Sequence, residues 1–179
     1  MTQSRSKKSF SARRLVFNAL LTAIALVISL FEAQIPPLLP IPGVKLGLAN
    51  IVTVYAMFAL DPADALAILL CRIMLGSVFS GRIVSLFYSL AGGMLCFIAM
   101  LLLRRILTRR QIWVCSVIGA VFHNIGQILV AIAFSGTRAI IGYLPFLVLT
   151  GIITGLITGM IAQIIVNRFD KGQISDQVP

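Results

Sequence analysis

The sequence is poor in acid. Glu32 is the single glutamate, and Asp61, Asp64, Asp170 and Asp176 are the only aspartates, against fifteen Lys and Arg and a formal net charge of +10. So few carboxylates leave no regular intramembrane series for proton or ion coupling, which argues against a self-sufficient carrier or channel. His123 is the lone histidine, with no second His, Cys or acid at ligand spacing, so no metal site is expected. Cys71, Cys96 and Cys115 are odd in number and fall inside apolar runs, which excludes a disulfide framework and reads as packed free thiols. No G-x-x-x-x-G-K-[ST] sequence is present, so the chain lacks a P-loop for ATP. The basic residues sit between apolar runs, not in a stripe interleaved with stacking aromatics, which removes nucleic acid as a partner.

What is abundant is apolar sequence: 59% of residues are hydrophobic and only 11% charged. A membrane helix needs about 20 mostly apolar residues to cross about 30 Å of hydrocarbon. Six runs meet or approach this, at Arg14–Ile35, Val44–Leu60, Ala63–Phe79, Ile83–Leu103, Ile112–Phe134 and Ile140–Val166. Pro36, Pro37, Pro40 and Pro42 break the chain after the first, Asp61 and Pro62 after the second, and Ser80, Gly81 and Arg82 after the third. The second and third runs are short, as expected of a span that is tilted, broken or sheltered by protein. The first run is longer than a signal-peptide core and is followed by further spans, so it is expected to remain as an uncleaved helix. The expected fold is an all-α membrane protein of six transmembrane helices over residues 14–167. A basic segment (1–13) precedes it and a tail (168–179) follows. Eleven of the fifteen basic residues fall in segments that share a side if the N-terminus is cytoplasmic, which puts both termini in the cytoplasm of a multi-pass cell-membrane protein.

Polar side chains inside such spans are costly and are functional candidates by default. Arg72 lies midway along the third run, either in a binding site or in an internal ion pair with Glu32. His123, Asn124 and Gln127 cluster in the fifth run. His123 and Gln127 share a face at i,i+4, and Asn124 and Gln127 are neighbours at i,i+3. The stripe serves a buried ligand or bonds to another helix. Lys45, Arg82 and Arg138 stand in three outer loops, as charge attractors for an anion or as snorkelling side chains. Asp61 and Asp64 open the third run as caps and dipole partners, or as a Mg²⁺ pair. Small residues repeat at every fourth position at Ala19 and Ala23 and at Gly151, Gly155 and Gly159, spacing that lets helix backbones approach closely.

Four segments carry a family resemblance: P-I-P-G-V-K-L-G-L-A-N (Pro40–Asn50), L-C-R-I-M-L-G (Leu70–Gly76), S-L-A-G-G (Ser89–Gly93) and G-A-V-F-H-N-I-G-Q (Gly119–Gln127). Together they resemble the Gx transporter family, whose members are also labelled heptaprenyl diphosphate synthase component I. That family is in turn similar to the S components of energy-coupling-factor (ECF) vitamin transporters. The resemblance implies an S-component-like six-helix bundle, with Ala19 and Ala23 as the ridge that docks a transmembrane coupling subunit. It also implies an outward pocket closed by the Ile35–Gly43 loop, which adds Lys45 and Asn50 to the pocket candidates.

The expected function is that of a substrate-binding subunit of a small-molecule importer, not an enzyme, that captures a small anionic or amphipathic ligand from the outer side. The expected ligand contacts are Lys45, Asn50, Arg72, Arg82, His123, Asn124 and Gln127. No cofactor is expected. The implied partners are the ligand, membrane lipid, and coupling and ATPase subunits. The alternative is a non-catalytic membrane accessory subunit in isoprenoid or quinone biosynthesis, or in an electron-transfer chain. The enzyme itself is excluded, because a prenyl diphosphate synthase needs aspartate-rich motifs for Mg²⁺ and no two aspartates here are adjacent. Ligand identity, energy source and oligomeric state are not encoded in any motif of the chain.

Overall fold

The computed structural model describes residues 12–35 and 45–175. The proline-rich segment at 36–44, the first eleven residues and the last four lie outside the described residues. Six helices follow in order: α1 (Ala12–Glu32), α2 (Asn50–Ala59), α3 (Pro62–Ser80), α4 (Ile83–Leu103), α5 (Ile112–Ser135) and α6 (Leu144–Ser175). Short 3-10 turns at Arg109–Gln111 and Arg138–Tyr143 lead into α5 and α6, and no strand occurs among the described residues. Five helices, all but α2, are long and apolar enough to cross a membrane. The chain is a multi-pass membrane protein.

The expected second span is corrected. In place of a helix from Val44 to Leu60 there is a 10-residue helix preceded by non-helical chain at residues 45–49. At 1.5 Å per residue α2 is about 15 Å long, half a bilayer. The cause is local. Gly47 adopts φ +82°, open mainly to glycine, and its N–H is donated to the Glu32 carboxylate instead of to a helical carbonyl. Non-helical backbone is tolerated at membrane depth only where protein shelters it, and Ala49 and Asn50 are buried.

Each long helix turns one face inward. On α1 the buried positions are Leu21, Ala25, Ser29 and Glu32, spaced four, four and three apart, while Leu15, Val16, Leu20, Ile24, Val27 and Phe31 point outward. In lipid, apolar burial gives little drive for helix association, so close packing must supply it. Glycines do this on both faces of α5. A Cβ added at Gly126 would lie 2.7 Å from the Ala91 carbonyl oxygen, and one at Gly92 would lie 2.8 Å from His123, so α4 and α5 interlock. The Gly151, Gly155 and Gly159 ridge of α6 packs internally, its added Cβ atoms falling 2.7 Å from Asn124, Val117 and Trp113 respectively. Gln163 of α6 donates to the Arg109 carbonyl (2.7 Å) and accepts the Ile112 N–H (2.9 Å), capping α5.

Asp61 and Asp64 do not cap α3, which has no side-chain cap bond at its start. They hold α1 instead. Arg14 Nε donates to both oxygens of Asp64 (3.0 and 2.8 Å), Arg14 Nη2 donates to Asp61 (2.9 Å), and Asn18 donates to Asp64 (2.9 Å). The Asp64 side chain is 9% exposed and that of Asp61 44%. Exposure weakens an ion pair, so Asp64→Ala is expected to lower the melting temperature more than Asp61→Ala, as thermal unfolding of the two variants in detergent will check.

Cys96 and Cys115 are buried, but Cys71 is exposed, contrary to the expectation of three packed thiols. Its position on α3 turns it out of the bundle into a groove beside α1.

Candidate functional site

At the end of the bundle opposite the Arg14–Asp64 staple, α1, α3 and α4 enclose a narrow cleft. Its walls are Ser29 from α1, Arg72, Ile73, Gly76 and Ser77 from α3, Ser85 and Ser89 from α4, and Lys45 from the non-helical segment. Arg72 and Ile73 fall on the buried stripe of α3 with Ala65, Ile68, Leu69 and Gly76, the period of one helix face, so the guanidinium is forced inward. Ser85 and Ser89 are four apart and share the inward face of α4.

Arg72 is 6% exposed. Its Nη2 donates to Asn50 Oδ1 at 3.2 Å, while its Nε is buried without a partner. The expected alternative, an ion pair with Glu32, is not formed within 4 Å. The Glu32 carboxylate accepts the Gly47 N–H and acts on Arg72 and Lys45 only through space. Lys45 is half-buried, and burial lowers its amine from the ordinary value. Glu32 opposes that shift, and Arg72 and Arg82 reinforce it.

His123 and Gln127 form a second buried pair beneath the non-helical segment, with Nε2 to Nε2 at 3.0 Å. Gly47 joins the two pairs: a Cβ there would lie 3.0 Å from Asn50 Nδ2 and 3.2 Å from the His123 ring. Neither His123 nor Gln127 lines the cleft.

Of the candidates from sequence, Lys45, Asn50, Arg72, His123 and Gln127 are thus brought into one connected group. Asn124 is not part of it. One residue along α5 from His123, it turns toward α6 and donates to the Leu147 carbonyl at 2.5 Å. Arg82 is exposed at the start of α4, and Arg138 is exposed at the start of the turn before α6. Sequence reasoning missed Ser29, Ser77, Ser85 and Ser89, although the i,i+4 pair of serines on α4 was a visible signal. Among the described residues, no three of His, Cys, Asp and Glu gather to hold a metal ion.

A second feature lies at the staple end. Ala19 and Ala23 are exposed and line an apolar groove between α1 and α3, with Thr22, Ala63, Ala67 and Cys71. These small residues leave helix backbone within reach of a neighbour, and Leu15, Leu26, Ile68 and Leu75 complete the groove's apolar wall.

The family model for heptaprenyl diphosphate synthase component I matches residues 21–165, most of the chain and every residue that lines the cleft. The chain belongs to that family. No curated protein matches its sequence. Among solved structures it is similar to the S component of a bacterial ECF transporter, with a TM-score of 0.64 at 20% identity, over 90% of this chain and 97% of that one. Component I of the heptaprenyl diphosphate synthase family, as seen in this chain, therefore has the S-component fold.

Proposed function

We propose that the chain is the substrate-binding membrane subunit of a small-molecule importer, with both termini in the cytoplasm of a cell-membrane protein and the cleft facing outward. The observation that carries this reading is a buried arginine, its Nε without a hydrogen-bond partner, in the wall of a serine-lined cleft beside Lys45. A buried charge destabilises the protein by several kcal/mol if it has no partner, and in this reading a ligand anion supplies that partner. In this reading Arg72, Lys45 and Asn50 contact the ligand. His123 and Gln127 support the segment that carries Lys45 and Gly47, and Arg82 attracts anions near the mouth. The expected orientation supports the same reading: the staple end, with its many nearby basic residues, faces the cytoplasm, and the cleft lies at the other end.

The exposed Ala19 and Ala23 ridge is the surface for a transmembrane coupling subunit, with ATPase subunits beyond it. The energy comes from those partners. The family's description supports a second reading, a non-catalytic accessory subunit that holds a lipid-like precursor for a prenyl synthase or redox partner. Co-purification from native membranes separates the two. ATPase subunits are expected with the wild type and are expected to be lost in the Ala19→Leu, Ala23→Leu double variant, with ligand retention intact. Recovery of a soluble prenyl synthase in place of ATPase subunits would favour the second reading.

A further inference from the structure

α2 begins without a cap of its own. Its N-cap position is Ala49, which has no side-chain oxygen to accept the N–H groups of the first turn. The acceptor comes from another helix. Glu32, the last residue of α1 and buried, accepts the N–H of Gly47, and the N–H of Ala49 also acts on its carboxyl group. Residues 45–49 are not helical, so their place depends on what neighbouring elements hold. Thr154 of α6 reaches the Leu46 carbonyl at 3.5 Å but donates to the Thr150 carbonyl of its own helix at 3.0 Å, so its grip is the weaker one.

The segment carries two groups to the cleft. Lys45 at its start forms part of the wall, and Asn50 just past its end accepts from Arg72 at 3.2 Å. Gly47 lies between the two. Without Glu32 its N–H would lose its acceptor in a partly buried place, and both ends of the segment would be released together.

We propose that Glu32 is a positioning residue: by capping α2 from α1 it fixes the segment that sets Lys45 in the cleft wall and Asn50 against Arg72. Glu32 does not itself line the cleft. Its part in ligand capture rests on the reading of the cleft as the binding site of an importer, whereas its hold on the segment does not.

Lys45 reports that hold, because the other lysines are Lys7, Lys8 and Lys171, all near the ends of the chain. The full chain in mild detergent is acetylated with a water-soluble amine reagent, and modification of Lys45 is followed by peptide mass spectrometry relative to Lys7 and Lys8. Glu32→Gln keeps an oxygen acceptor and loses the charge, while Glu32→Leu loses both. A change caused only by the missing charge beside Lys45 appears in both variants; a change of position separates them. Lys45 is expected to react about fivefold or more faster in Glu32→Leu than in Glu32→Gln, the scale set by stranding one N–H donor, with helical content by circular dichroism equal in the two. Equal rates in both variants would overturn the assignment. Glu32→Ala serves if Glu32→Leu does not fold. If neither folds while Glu32→Gln does, the bond belongs to folding and the assignment also falls. The small molecule that co-purifies with the wild type is expected to be retained by Glu32→Gln and lost from Glu32→Leu. Its retention by Glu32→Leu, with Lys45 released, would leave the hold on the segment standing and remove the cleft from the importer reading.

Discussion

Arg72→Ala is expected to weaken ligand binding by about 2–5 kcal/mol, a loss of at least about thirty-fold, while membrane insertion stays intact. Both halves follow from the same geometry. The guanidinium is buried, holds Asn50 through Nη2 and has an unpartnered Nε, and the residue forms part of the cleft wall. Truncation leaves any bound anion without its main donor, which makes the effect large. Insertion is unharmed because removing arginine from the middle of a span relieves a penalty of about 3 kcal/mol on insertion scales. His123→Ala is expected to act more weakly, since His123 does not line the cleft. Equilibrium binding to protein extracted from membranes, normalised to the inserted amount, separates the two terms.

Gly155→Leu is expected to give a large loss of stability. A Cβ at this position would lie 2.7 Å from Val117 Cα, 3.0 Å from Ala120 Cβ and 3.1 Å from the Ser116 carbonyl oxygen. These are backbone atoms or a methyl group, with no flexible chain to swing aside, so α5 and α6 must separate. Overpacking costs about 1–3 kcal/mol and at times more. For a chain of this size that corresponds to a fall of roughly 2–4 °C per kcal/mol. Gly142→Leu is the matched control, because nothing stands within 4 Å of that position. Trp113 abuts Gly159 on the same interface, so its fluorescence reports the separation directly.

The sequence showed the helices more clearly than their partners. Five spans could be read because about 20 apolar residues in a row have few other uses, and the glycine ridge on α6 could be read because its four-residue spacing has a geometric meaning. The second run was read as short and broken or sheltered, but its helix was given bounds that are too long because an apolar run does not reveal where the backbone leaves the helix. That break depends on Gly47 and its bond to Glu32, fifteen residues earlier. Asp61 and Asp64 looked like caps because their partner, Arg14, is about fifty residues away. His123 and Gln127 were correctly placed on one face by their spacing. Asn124, only one position along, turns about 100° around the helix and bonds to α6 instead. The serines of the cleft went unnoticed because serine in a span is common, and only convergence from α1, α3 and α4 makes them a wall.

Both functional features depend on which residues α1 and α3 bury. Their inward faces place Ser29 and Arg72 in the cleft, and their outward faces leave Ala19, Ala23 and Ala67 open along the groove. One helix pair therefore links the cleft at one end to a small-residue surface toward the other. A bundle whose polar side chains merely tied helices together would have no need for this arrangement.

Mass spectrometry of the small molecules that survive purification in mild detergent tests the central claim most directly, with wild type and Arg72→Gln compared side by side. The expected result is one compound present in near-stoichiometric amount with the wild type and absent from the equally folded variant. Equal retention by both proteins would mean that the buried arginine serves only to hold Asn50, and that the cleft is not where a ligand is captured.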